Sequence, residues 1–332
     1  MVARTALAAV FLIGAQPAFA QAERYIAQDA RTVEPARQIA SIIPQDRIAS
    51  SIELGRIVPN EGGLIGALVD RTPEKLAQNA AMKADRFIRP LAEVLEGFDA
   101  AKLARSATEN ALAQADWFAA GPPNVLTGTS ISTTRTEKNG GSDSTVSMTF
   151  AVGAFATEAN DTVGALTWEK ERRRLERDFA AAHSSASELA VITWRYQLSA
   201  DFTNMQVIAD IATRKPNLPD RLFKQQLISI VKLRRPSFVE EDNVAIWAGN
   251  DGAIARTALE MAFSRVGEVL PAVLALDAKG YRAATSKKNR QTATAAGFYG
   301  PQLLRDDKGP VFHARDGDQR LRAFVAVQTI RN

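Results

Sequence analysis

Cysteine is absent from this chain of 332 residues, and histidine occurs only as His183 and His313. The first absence removes disulfides, thiolate metal sites, thioether-bound haem and cysteine nucleophiles together. The second leaves no HExxH zinc motif and little material for histidine-dependent catalysis. Neither a GxxxxGK[ST] loop nor a GxGxxG fingerprint occurs, so no backbone cradle for nucleotide phosphate is visible and no cofactor is expected. A GxSxG nucleophile elbow is missing as well. Its nearest strings, Gly128-Thr129-Ser130 and Gly140-Gly141-Ser142-Asp143-Ser144, lack the second glycine and read as loops. Past the first twenty residues no apolar run reaches the ~18 residues of a membrane helix, so no transmembrane segment is expected there.

What is present is an ordinary globular balance, 46% hydrophobic and 23% charged, with enough apolar side chains for a sizeable core. Met1 to Arg4 supply a positive start, Ala6 to Ala15 an apolar run, Pro17 a break, and Ala18-Phe19-Ala20 a small-residue cleavage site. Residues 1–20 therefore read as a signal peptide, with the mature chain beginning near Gln21 in a periplasmic or secreted location.

Residues 21–120 read as a helical region. Pro35 and Pro44 cut the polar stretch from Gln21 to Ala49 into short helices and loops. Gly62 to Val69 carries apolar residues at helical spacing with a small-xxx-small pair, Gly62 and Gly66. Thr72-Pro73 starts a helix whose stripe is Phe87, Ile88, Leu91, Val94 and Leu95, with Pro90 a candidate kink and Gly97 a stop. Asp99 caps the next helix, which runs to Trp117-Phe118. Gly121-Pro122-Pro123 then ends helical spacing and marks a boundary.

In residues 121–332 the period changes to two. Ile131 to Arg135 and Val146 to Val152 flank a Lys138-Asn139-Gly140-Gly141 turn, a hairpin. Glu169 to Phe179 mixes charges of both signs and reads as a short solvated helix. Ile192 to Leu198, Met205 to Ile211 and Leu222 to Leu233 form a meander, which points to antiparallel pairing because parallel neighbours need long crossovers. Residues 238–277 form the longest helix, with Asn250-Asp251-Gly252 and Pro271 as possible breaks. Tyr281 to Gly300 reads as exposed and basic, and Val311 to Arg315 with Leu321 to Ile330 as a final hairpin. The expected fold is α+β: an antiparallel sheet with helices packed mainly on one face, preceded by the helical N-terminal region.

Candidate functional residues are few. Both histidines read as surface or structural rather than as general bases. Glu240-Glu241-Asp242 suits the positive end of a helix better than acid–base work, and Asp316 and Asp318 offer too few oxygens for a calcium or other metal site. Trp194 and Tyr196 share one face of a strand, as core residues or as the aromatic lining of a ligand site. From Gly280 onward ten lysines and arginines face four aspartates. Within that stretch Arg282, Lys287, Lys288 and Arg290 form a basic loop suited to an anionic surface. Together these features predict an exported envelope protein that is not an enzyme. It would bind an apolar or amphipathic ligand such as a lipid, or a partner protein, with nucleic acid the weaker partner. A carboxylate-dependent hydrolase of wall or sugar substrates and a purely structural or assembly protein are the alternatives.

Overall fold

A computed structural model describes residues 23–26, 37–50, 87–119, 121–128, 133–136, 145–148, 167–199, 201–217, 221–286, 288, 291–293, 299–314 and 323–332. Residues 1–20, expected to be a signal peptide, the Gly62 to Val69 run and the expected Thr72-Pro73 helix start lie outside these residues. The described elements are five helices and twelve strands. Helix α1 covers residues 87–94, α2 Ala100–Gln114, α3 Thr167–Ala182, α4 Glu240–Leu274 and α5 Ala278–Ala284. The strands are β1 Arg37–Ile43, β2 Ala49–Ser50, β3 Asn124–Thr127, β4 Thr133–Thr136, β5 Thr145–Met148, β6 Glu188–Leu198, β7 Asn204–Arg214, β8 Arg221–Leu233, β9 Gln291–Ala293, β10 Tyr299–Asp306, β11 Gly309–Ala314 and β12 Ala323–Ile330.

Ten strands make one sheet in the order β3-β1-β6-β7-β8-β12-β11-β10-β9, with β2 pairing on β6, while β4 and β5 form the expected hairpin apart from it. The β6–β7–β8 meander is antiparallel, with Trp194 opposite Ala209 and Ile208 opposite Ile228. The sheet as a whole is not antiparallel, however. β1 runs parallel to both β3 and β6, and β8 runs parallel to β12, so the sheet is mixed.

The expectation failed at β1 for a physical reason. Ile39 and Ile43 point into the core shared with α1, α2 and α4, while Ala40 and Ile42 point at Leu175, Phe179 and Ala180 of α3. A strand covered on both faces shows no apolar–polar alternation, which is the mark of buried parallel strands. The same contacts correct the helix placement: α3 lies on the face opposite α2 and α4, so both faces carry helix. Only its outer side is solvated, where Arg174 pairs with Asp178 at 2.9 Å; a second pair, Arg172 to Glu176, is largely buried. Farther across that face, Ile208, Ile228, Ile230, Phe312 and Val325 form a third buried cluster. The helical reading of residues 21–120 is corrected in the same way, since β1 is an interior strand.

Helix α2 begins as expected, with Asp99 Oδ1 accepting from the Lys102 amide at 2.8 Å. Its buried side is almost all alanine, Ala100, Ala104, Ala107 and Ala111, and it meets α4 closely. A Cβ placed on Gly267 would sit 2.9 Å from the Ala107 carbonyl oxygen, so this crossing requires glycine. In α4 the backbone leaves helical angles at Gly249, Asn250, Asp251 and Gly252, the last three left-handed, whereas Pro271 is accommodated within the helix. Asn and Asp tolerate that conformation better than other residues with a Cβ. No helix among the described residues is long and apolar enough to cross a membrane.

Candidate interaction site

The aromatic pair singled out in the sequence is deep in the core. Trp194 is fully buried, donates from Nε1 to Ser41 Oγ at 3.0 Å, and has its ring 5.5 Å from that of Phe263 on α4. Tyr196 packs against Phe98 and Phe263 at 6.2 and 6.3 Å, and burial, with Asp46 adding to it, pushes its phenol far above the ordinary value. The two rings are brought together by the strand and by Phe263, and face helix.

Of the basic residues, Arg282 is exposed on α5 and Lys288 is exposed beyond it, while Lys287 and Arg290 lie outside the described residues. Their neighbour Tyr281 is not solvated as the sequence reading expected. Its ring meets Tyr25, His313 and Phe324, and its hydroxyl stands 3.4 Å from His313 Nε2. His313 is buried on β11. His183 ends α3 with its ring 4.5 Å from that of Phe179, and borders an open hollow of about 390 Å³ with Gln38, Ser185 and Ser187.

Three carboxylates, the half-buried Asp210 and Glu268 and the exposed Asp306, are held by cations. Asp210 accepts from Arg195 at 2.8 Å and from Gln226 at 2.6 Å; burial pushes its pKa up, but Arg195 and these hydrogen bonds outweigh that and hold it below the usual range. Arg265, 3% exposed, grips Asp306 through two hydrogen bonds at 2.7 and 2.8 Å. That grip lowers the Asp306 pKa. Glu268 is also lowered: burial acts upward on it, and Lys308, Ser264 and Arg265 act downward more strongly. A carboxyl group serving as general acid near neutral pH needs the opposite shift. These three act as fixed anions. Among the described residues no group of three or more His, Asp or Glu is arranged to hold a metal ion.

The most unusual surface feature is the corner between β8 and α4. Four of the six residues of the connection after Leu233, Arg234, Arg235, Ser237 and Val239, are fastened by hydrogen bonds. Arg234 N donates to the Ile330 carbonyl at 3.0 Å, and the Asn332 side chain takes both the amide and the carbonyl of Arg235 at 3.1 and 3.0 Å. Ser237 N donates to Asn243 Oδ1 at 2.8 Å, while Asn243 Nδ2 returns to the Ser237 carbonyl at 3.1 Å. Ser237 Oγ donates to Asp242 at 2.9 Å and accepts from Val239 N at 3.0 Å. One turn on, Trp247 Nε1 donates to the carbonyl of Phe202, a buried residue at φ 54°, tying α4 to the β6–β7 loop.

On this stapled turn Phe238 is fully exposed, at 107% of its reference area, and Val239 beside it is half exposed. Arg234 and Arg235 are exposed on the strand side of the ring, Glu241 and Asp242 on the helix side. The sequence reading took Phe238 as the first apolar residue of the long helix. The helix starts at Glu240, leaving Phe238 outside it. The Ser237 and Asn243 spacing was the available signal, since a side chain that caps a turn fixes where the next residue points. The acidic run does lie in the first turn of α4, as the helix-end reading required.

Comparison of the chain with protein-family models, with curated proteins and with solved structures returned no match.

Proposed function

We propose that this chain is an exported cell-envelope protein that works by binding a partner protein rather than by catalysis, and that the β8–α4 corner is its binding surface. The observation that carries the reading is the full exposure of Phe238 on a turn held by hydrogen bonds on both sides. Burying a phenylalanine is worth about 1.5–3 kcal/mol, and an exposed ring forgoes it until a partner covers the ring. Aromatic side chains projecting from rigid backbone are the usual anchors of protein interfaces. The core aromatics Trp194 and Tyr196 are engaged internally, which turns the reading from a ligand enclosed between helices and sheet to a partner on the outside. The charged start, apolar run and Ala18-Phe19-Ala20 site support export.

Two measurements test this. N-terminal sequencing of the protein recovered outside the cytoplasm is expected to begin near Gln21; retention of Met1 to Ala20 would remove export. Mild amine crosslinking in intact cells is expected to give one discrete protein adduct. Uncrosslinked monomer alone, or turnover of a wall glycan by the purified protein, would overturn the binding reading.

A further inference from the structure

We infer that residues 23–26 form a clasp which, once closed on β8, shields the Ala20–Gln21 bond, so that the signal segment has to be removed before this contact forms. This rests on the export reading and adds an order of events to it. β12 pairs with β8 only from Leu227 to Leu233, and β7 takes the other edge of β8 from Arg221 to Lys232. The stretch of edge before Leu227 is taken by Glu23, in a parallel bridge to Phe223. Its amide donates to the Leu222 carbonyl at 3.0 Å, and its carbonyl accepts from the Lys224 amide at 2.9 Å. Gln225, 1% exposed, donates from Nε2 to the Arg24 carbonyl at 3.1 Å. Ile26 is 6% exposed within the principal core, and the Tyr25 ring lies 6.3 Å from that of Tyr281 on α5.

Only Gln21 and Ala22 separate the scissile bond from this contact. Two extended residues span at most about 7 Å, so the bond cannot swing clear of β8 while Glu23 is seated. A protease draws an extended stretch on both sides of the scissile bond into its cleft, and within folded structure it cuts only the chains that are open. Cleavage needs water alone as co-reactant. The Ala20–Gln21 amide breaks, the water oxygen goes to the Ala20 carboxylate and both its hydrogens to the Gln21 amine, which leaves as an ammonium group. Gln225 lies 201 residues beyond the Arg24 it holds, so the seat of the clasp is made only after most of the chain has followed. Processing has that interval in which to act.

The test uses the full chain, folded in mild detergent, and a purified signal peptidase. The native precursor is compared with Ile26→Asp, which cannot seat the clasp, and with an insert of about eight Gly and Ser residues between Ala22 and Glu23, which lets the bond move about 29 Å farther from an intact clasp. Closure is read in the processed chain by a single thiol, Ile26→Cys, free of background because the chain has no cysteine, against Ala245→Cys, exposed on α4. The native precursor is expected to be cut roughly tenfold more slowly than either variant, and Ile26→Cys to react with maleimide roughly tenfold more slowly than Ala245→Cys. The insert should melt like the native chain, which keeps the comparison readable if Ile26→Asp does not fold. Equal cutting of the native and inserted precursors, or equal labelling of the two thiols, would overturn this inference and leave export standing. Failure to cut any form, a peptide of residues 10–30 included, would overturn the export reading itself.

Discussion

Acid is the condition under which single residues of this protein show their part. Asp210, ionised between Arg195 and Gln226, titrates below its unfolded value of ~3.9, so it contributes its full stability above that pH and loses it as pH falls further through the folded value. Asp306 and Glu268 shift in the same direction and add to the same loss. Urea unfolding is expected to show a stability plateau at neutral pH and a decline beginning below about pH 4.5, where carboxylates start to protonate. Asp210→Asn should cost about 2 kcal/mol at pH 7, because the charge-assisted bond between the carboxylate and the buried Arg195 is lost. The difference between Asp210→Asn and the native chain should shrink at pH 3, where the native carboxylate is itself being neutralised. An unchanged difference would mean that packing rather than charge underlies it.

Among the elements, the α2–α4 crossing is the most sensitive to added volume. Gly267→Leu must displace the Ala107 backbone, and overpacking of this kind costs about 1–3 kcal/mol, visible as a lower melting temperature in circular dichroism. Loss at the display corner works the other way, by leaving donors unsatisfied. Asn243→Ala removes the partner of the Ser237 amide and should destabilise by about 1–3 kcal/mol while loosening the turn that carries Phe238. The elements legible in the sequence are those whose signals are local. Asp99 before α2, the left-handed Asn250-Asp251-Gly252 break and the alternating β6–β7–β8 meander each depend on residues close in the chain. β1 was illegible because burial on two faces erases its period, and the buried side of α3, Leu175 and Phe179, was outvoted by its ion pairs. The candidate site was hidden for a related reason. Trp194 and Tyr196 look the same in sequence whether a helix or a ligand faces them, and the turn that carries Phe238 is held in part by Asn332, 97 residues beyond the Arg235 it bonds.

Taken as a whole molecule, the chain does not divide at the Gly121-Pro122-Pro123 boundary without cutting the sheet. β1 lies between β3 and β6, and its Ser41 hydroxyl receives the Trp194 indole proton. A fragment of residues 121–332 lacks β1, β2, α1 and α2, which removes Ser41 from the Trp194 indole and Ala107 from Gly267. It is expected to melt without a cooperative transition and to expose tryptophan to water, checked by calorimetry and by fluorescence maximum. A cooperative, native-like melt would show that the later part of the chain carries its own core.

The position of β1 also dictates a timetable. Its contact with β6 joins residues 153 apart, and its other partner, β3, lies beyond α2. As the chain is synthesised or threaded from its N-terminus, the first described strand has no strand neighbour until β3 follows, with Ala40 pairing to Asn124. One edge of β8 pairs at once with β7, while its other edge waits for β12. Loop closures of this length are slow and come late, so contact order rather than local propensity sets the pace of folding. Such a chain can pair its β6–β7–β8 meander early but completes its sheet only when β12 arrives, so the local hairpins precede the closure that joins them to the rest.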